Sequence, residues 1–197
     1  MSGQTALARL RYLGLKAMAR LHIALGDQTR AMQRFDAMLA EFPRDAFALA
    51  SKAHLAAQLG RRDEAIALLT DLTAHHPGNA HHWFNLGFVL EQRRDLEGAE
   101  TAFRRAIELS PQLDRAWYGL GLVLIQRRQF DEAVEVLKRN TQLQPMSPFG
   151  WYQLARVYVD RHEPEEARKI IRHLHAFEPK VARQLEKETG LSAVLPR

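Results

Sequence analysis

The chain has 197 residues, of which 46% are hydrophobic and 26% charged, with a formal net charge of +5 and no cysteine. This apolar content is enough for one continuous core. The lack of cysteine excludes a disulfide framework, thiolate zinc sites and a cysteine nucleophile. No stretch approaches the roughly 18 apolar residues that span a bilayer, and basic residues interrupt the N-terminal segment. We therefore expect a cytoplasmic protein with no direct membrane insertion, and a peripheral membrane role only through a partner.

Prolines recur every 34 residues along the chain, and alanines recur with the same period. The prolines are Pro43, Pro77, Pro111, Pro145 and Pro179, and the alanines are Ala31, Ala65, Ala99, Ala133 and Ala167. This period defines five units without insertions, 12–45, 46–79, 80–113, 114–147 and 148–181. The chain is therefore a repeat array, and we predict a single domain over 1–197.

Each unit contains two stretches with apolar residues at helical spacing, separated by a short polar turn. The pattern predicts two antiparallel helices per unit, which must stack on neighbouring pairs to bury their apolar faces. Asp45, Asn79 and Ser147 precede first helices as predicted N-caps, and the repeat prolines should end the second helices. Residues 182–190 predict a short capping helix, with Leu185 facing inward and Gly190 ending it.

The third unit carries a recognisable set of large and small residues. These are Trp83, Leu86, Gly87, Leu90, Ala99, Phe103 and Pro111. This pattern resembles that of the tetratricopeptide repeat (TPR) family, and the resemblance covers residues 12–181. It implies an all-α fold, an α-α superhelical solenoid of five TPR helix pairs with a short C-terminal capping helix. It also implies a non-catalytic protein–protein interaction module, a scaffold or adaptor, that binds a peptide segment of a partner in its concave groove.

By analogy with the family, certain positions of each first helix face that groove. The candidate peptide-binding residues are Lys16, Arg20, His54, Phe84, Asn85, Phe88, Arg115, Tyr118, Gln126, Tyr152 and Arg156. Aromatic and basic side chains predict an extended or helical peptide that carries some negative charge. A two-carboxylate clamp of the kind some TPR domains use is not expected, because the best register keeps only Lys16.

Pairs of basic residues stand at the turns between helices. They are Arg61–Arg62, Arg93–Arg94, Arg127–Arg128 and Arg161–His162. They could form a basic ridge that pairs with carboxylates or phosphates, or they could be solvated turns that neighbouring aspartates neutralise.

Four histidines also surround one turn, namely His75, His76, His81 and His82. No metal site is expected there, because adjacent helical side chains point about 100° apart.

Signatures of enzymes are missing from the sequence, which has no HExxH, P-loop, GxSxG or complete dinucleotide fingerprint. We therefore expect no catalytic activity and no cofactor. Two other functions remain open: a dedicated assembly or secretion chaperone for one client protein, and a nucleic-acid-binding helical repeat. Interspersed acidic and basic residues argue against nucleic acid as a partner. The sequence does not indicate an oligomeric state.

Overall fold

The computed structural model describes residues 2–192, with side chains described from residue 6 onwards. These residues form eleven α-helices and no strand. The helices are α1 (Ser2–Ala24), α2 (Gln28–Glu41), α3 (Ala46–Gln58), α4 (Arg62–His75), α5 (Ala80–Gln92), α6 (Leu96–Leu109), α7 (Asp114–Gln126), α8 (Phe130–Leu143), α9 (Pro148–Asp160), α10 (Pro164–Phe177) and α11 (Pro179–Thr189). Most of the C-terminal tail, for which the sequence indicated no placement, lies outside the described residues.

The chain divides after Val89 into two compact units, here called the N-terminal and C-terminal units. In the N-terminal unit, α1 packs on α2, α2 on α3, and α3 on α4. In the C-terminal unit, each helix from α6 to α11 packs on the next, and α9 also contacts α7 and α11. Sequential packing of this kind is expected when no helix pair can bury its apolar face alone. The single domain over 1–197 stays a prediction.

The beginnings of the first helices follow the predicted capping residues in two cases out of three. The Asp45 side chain accepts a hydrogen bond from the Ala48 amide at 2.8 Å, and the Asn79 side chain accepts one from the His81 amide at 2.9 Å. Ser147 precedes α9 but makes no side-chain capping bond, so that part of the prediction was wrong. Pro148 is instead the first residue of α9, where its fixed φ favours the helix and no amide hydrogen is needed.

The repeat prolines stand two residues after the ends of α2, α4, α6, α8 and α10, as expected of residues that stop these helices. Pro179 has a second role, because it is the first residue of α11. The capping helix therefore begins three residues earlier than predicted, at Pro179 rather than residue 182. Leu185 is fully buried and Gly190 ends the helix in a left-handed conformation with φ of 70°, both as predicted.

The periodic small and large residues build the core. All five periodic alanines are fully buried. The large apolar residues four positions after these alanines are also buried, with at most 3% exposure, and they are Phe35, Leu69, Phe103, Leu137 and Ile171. A small residue beside a large one lets neighbouring helices approach closely. The repeat period is therefore a packing period.

Each of the three tryptophans connects the first helix on which it lies to the turn before that helix. The indole N–H of Trp83 donates to the carbonyl of Pro77, as Trp117 does to Pro111 and Trp151 does to Pro145, at 2.9 to 3.0 Å. A buried or half-buried indole N–H usually finds such a partner. The carbonyl of each of these prolines therefore fixes the tryptophan ring of the first helix that follows it.

Candidate peptide-binding surface

In the N-terminal unit, two candidate residues meet around an aromatic ring that the sequence analysis did not select. Lys16 Nζ lies 4.4 Å from the centroid of the Phe47 ring, and Arg20 Cζ lies 5.2 Å from it. Cations over an aromatic face are attracted by its quadrupole. Phe47 is the second residue of its unit, as Arg115 is of the fourth, so the same positional rule could have found it.

Three more candidates lie on α5 and one on α3. The rings of Phe84 and Phe88 are stacked, with centroids 6.4 Å apart and an interplanar angle of 22°. Phe88 is 49% exposed, and Asn85 and His54 are exposed as well. This end of the N-terminal unit therefore presents a stacked aromatic pair beside a polar side chain.

In the C-terminal unit, Arg115 and Tyr118 of α7 line a cleft of about 360 Å³ together with Phe149 of α9. Phe149 also lines a second cleft of about 250 Å³, in which Tyr152 is another wall. The Phe149 side chain is 67% exposed, the second highest value among the described large apolar residues of this unit. It too stands second in its unit and was missed by the sequence analysis. Two clefts thus share one exposed aromatic ring.

Polar contacts shape the floor of the first cleft. The buried Asn140 side chain donates to the carbonyl of Asp114 at 2.9 Å. A Cβ atom added at Gly150 would lie 2.1 Å from the Asn140 side-chain oxygen, so any larger residue there would displace the Asn140 side chain. Asn140 therefore connects the second helix of one repeat to the first helices on both sides of it, and it fixes the position of the cleft wall.

Gln126 is held within the protein. Its side-chain amide donates to Glu91 Oε1 at 2.6 Å, and its oxygen accepts a hydrogen bond from Arg94 Nη1 at 2.9 Å. Both ends of the amide are therefore engaged in a network that joins successive repeats of the C-terminal unit. A ligand would have to compete with these bonds to reach Gln126.

Tyr152 and Arg156 face the capping helix. The Tyr152 hydroxyl donates to Glu188 Oε2 at 2.5 Å, and Arg156 Cζ lies 5.8 Å from the Tyr152 ring centroid. The hydrogen bond raises the pKa of Tyr152. The same bond, followed by one from Gln184, lowers the pKa of Glu188. These side chains border a cleft of about 410 Å³, and a carboxylate of the chain itself already occupies one edge of it.

The basic residues at the turns are partly neutralised by acidic side chains. Arg127 pairs with Glu100, and Arg161 Nη2 lies 3.3 Å from Asp131 Oδ1 and 2.8 Å from Glu163 Oε1. The second residue of three of the pairs adopts a left-handed conformation, with φ between 60° and 68° at Arg94, Arg128 and His162. Glycines hold the equivalent place in the first two repeats, Gly26 and Gly60.

The histidines near the inter-repeat turn are bound separately. His75 Nδ1 lies 3.0 Å from Asp71 Oδ1, one helical turn earlier, while His76 Nε2 donates to the carbonyl of Arg44 at 2.8 Å. Burial lowers the pKa of His82, which favours the neutral ring. Within the described part of the chain, no group of three or more His, Asp or Glu side chains could hold a metal ion.

Comparison with known families agrees with the repeat geometry. A tetratricopeptide repeat model matches residues 50–114. Together with the helix-pair packing, this match supports a tetratricopeptide repeat (TPR) protein. A second model, for subunit 3 of the anaphase-promoting complex or cyclosome, matches residues 92–174 of this TPR protein. No curated protein matches the sequence significantly.

Solved structures resemble the TPR protein over most of its length. A crystal structure of MamA protein has a TM-score of 0.81 at 19% identity and covers 94% of this chain and 98% of its own. MamA 41-end from Desulfovibrio magneticus RS-1 has a TM-score of 0.78 at 16% identity, covering 90% of this chain and 96% of its own. YrrB, a TPR protein with an unusual peptide-binding site, has a TM-score of 0.76 at 20% identity, with 86% and 88% covered.

These likenesses establish the fold. The predicted fold class, an all-α solenoid of TPR helix pairs with a C-terminal capping helix, is confirmed. Among the described residues, no helix is both long enough and apolar enough to cross a bilayer.

Proposed function

We propose that this TPR protein is a non-catalytic interaction module that binds a peptide segment of a partner protein on the face formed by its first helices. The observation that carries the proposal is Phe149, which is 67% exposed and stands between two clefts. Tyr118 walls one cleft and Tyr152 the other. An apolar side chain of a ligand could enter either cleft and cover this ring, which gains free energy by removing apolar area from water.

Exposed arginines support a ligand that carries some acidic residues. Arg115 lines the first cleft beside Asp114, and Arg156 borders the cleft next to the capping helix together with Asp160 and Glu188. In the N-terminal unit, Lys16 and Arg20 flank Phe47. Aromatic rings next to cations suit a segment in which acidic residues alternate with apolar ones. The contact between Tyr152 and Glu188 is an internal example of a carboxylate bound at this face.

Similar solved structures agree with this type of function. YrrB is called a TPR protein with an unusual peptide-binding site. We extend peptide binding to this chain, without catalysis and in the cytoplasm, as part of the proposal. The candidate residues of the N-terminal unit, His54, Phe84, Asn85 and Phe88, would contact a second segment.

The experiment that tests the proposal is selection of displayed peptides on the purified protein, followed by affinity measurement on a selected peptide. The double variant Arg115→Ala, Tyr118→Ala should weaken binding at least about tenfold, because it removes a cleft wall and a cation. Its helical content and melting temperature should stay near those of the wild type, since neither side chain is buried. Equal affinity in the double variant would show that ligands bind elsewhere.

A matched control is Arg105→Ala. Arg105 is exposed on α6, where its guanidinium pairs with Glu108 at 2.8 Å, and it lines none of the clefts described above. It should leave peptide affinity unchanged.

Capture of partners from cells then separates the two protein-binding functions. Several soluble proteins would indicate a scaffold or adaptor, and one client that is insoluble when expressed alone would indicate a dedicated chaperone.

A further inference from the structure

The outer side of α1 is an uncovered apolar surface. It is formed by Leu7, Leu10, Leu13, Met18 and Leu21, here called the outer face of α1. Their exposed fractions range from 39% to 66%, whereas Ala19 and His22 of the same helix are buried. At about 100° per residue, the five exposed side chains occupy an arc of roughly 140° opposite the buried ones. A helix that carries apolar residues on opposite sides usually packs against other molecules or elements on both sides.

Part of this face extends beyond the helix that packs behind it. Arg11 Nη1 lies 3.5 Å from Glu41 Oε1, and Glu41 is the last residue of α2. The antiparallel α2 therefore ends near the level of Arg11, and the preceding two turns of α1 project past it. Leu7 and Leu10, with 61% and 66% exposure, belong to this projecting part.

The charges that α1 itself carries are all positive. The first 26 residues contain Arg9, Arg11, Lys16 and Arg20, and the first acidic residue is Asp27. Arg9 and Arg20 are exposed, and the Arg11 side chain is 66% exposed despite its contact with Glu41. Exposed arginines beside an aliphatic surface complement a layer that is negative at its surface and apolar beneath it.

Other occupants fit this face less well. A second copy paired through α1 would place the same arginines against each other, since its own α1 has no acidic residue before Asp27. Protein interfaces are also enriched in aromatic residues, whereas the outer face is purely aliphatic. A convex, aliphatic strip bordered by arginines needs no matching groove in its partner, and a lipid surface provides none.

We propose that the outer face of α1 adsorbs to membranes rich in anionic lipid, with the helix lying in the plane of the headgroups. The leucines enter the boundary of the acyl chains while the arginines contact lipid phosphates. The sequence predicted no direct membrane insertion because no segment could span a bilayer, and adsorption along the surface does not require a span. Apart from Lys16 and Arg20, which also flank Phe47 at the candidate peptide-binding surface, the residues on and beside this face are not assigned to peptide binding.

Vesicle co-sedimentation tests this proposal with the full chain. The protein should pellet with vesicles of equimolar phosphatidylcholine and phosphatidylglycerol and remain in the supernatant with phosphatidylcholine alone. Leu7→Glu, Leu10→Glu should reduce the fraction bound more than about tenfold, because two apolar anchors become anionic. Arg9→Glu should reduce it less, and raising the salt concentration should weaken wild-type binding.

The control is Leu59→Glu. Leu59 is 39% exposed at the end of α3, so this change adds the same charge away from the outer face and should not affect pelleting. Equal pelleting by the Leu7→Glu, Leu10→Glu variant, or no preference for phosphatidylglycerol, would overturn the proposal. So would a wild-type dimer in analytical ultracentrifugation that Leu10→Glu dissociates, because the face would then be a contact between copies. Circular dichroism of each variant establishes that it is folded.

Discussion

Single small residues decide how closely the helices of this protein approach. A Cβ atom added at Gly121 would lie 2.6 Å from Leu137 Cδ2 and 2.9 Å from Leu137 Cγ. Leu137 is itself fully buried and cannot move towards solvent. Gly119 and Gly150 are similarly restricted, by Phe103 and Asn140. The small residue at the eighth position of the fourth repeat is therefore required by its neighbour rather than by backbone conformation.

We expect Gly121→Leu to lower the free energy of unfolding by about 1–3 kcal/mol or more, because the added side chain overpacks the contact with Leu137. Urea denaturation followed by circular dichroism measures this change. Gly14→Leu is the control, since Gly14 is also helical but has no atom within 4 Å of an added Cβ. Unchanged stability in Gly121→Leu would mean that α7 and α8 can separate without cost.

At the scale of elements, α11 acts as the first helix of an incomplete sixth repeat. It begins at Pro179 itself, whereas the other repeat prolines stand three residues before a first helix, and it packs on both α9 and α10. Leu185 stands 34 residues after Trp151 and is fully buried. The helix covers apolar surface that would otherwise be exposed at this end of the C-terminal unit, which is the role of a terminal cap.

The contact between Tyr152 and Glu188 makes the attachment of α11 dependent on pH. Because the pKa of Glu188 is lowered in the folded protein, the contact is complete above its ordinary value of 4.5 and is lost as the pH falls through the lowered value. The pKa of Tyr152 is raised, so its donated bond is present below 10.0 and lost as the pH rises through the raised value.

Tyr152→Phe should therefore raise the pKa of Glu188 towards 4.5, since the largest cause of its lowering is removed. Carboxyl carbon chemical shifts measured across the acidic range give this pKa directly. Tyr118→Phe serves as the comparison, because Tyr118 lines a different cleft and should leave Glu188 unchanged. An unaltered Glu188 pKa in Tyr152→Phe would mean that the hydrogen bond does not persist in solution.

At the scale of the whole molecule, stability should be distributed along the chain. Repeats that contact mainly their neighbours transmit a local loss of packing only over short distances. Leu185→Ala removes a fully buried side chain and should cost about 2–5 kcal/mol locally. Amide hydrogen exchange should then accelerate in α9 to α11 and stay unchanged in α1 to α4. Uniform acceleration in all helices would indicate a single cooperative unit instead.

The sequence alone determined the helical pairs, the family and much of the core. The 34-residue period of small and large residues predicts that Ala99 and Phe103 pack between helices, and the single large apolar residue among the charges of 182–190 predicts that Leu185 faces inward. The start of the capping helix was predicted wrongly because one residue serves two elements: Pro179 stops α10 and is also the first residue of α11.

Only the tertiary structure decided which side chains are available to a partner. Gln126 and Tyr152 were assigned to the groove by their positions in the repeat, yet Gln126 is bound to Glu91 and Arg94, and Tyr152 to Glu188. Likewise, α1 is as rich in leucine as a buried helix, and only the position of the neighbouring helices leaves these leucines exposed. The sequence period reflects packing contacts that every repeat makes. Whether a side chain can reach a partner depends instead on contacts that occur at one place only, between residues that the period does not relate.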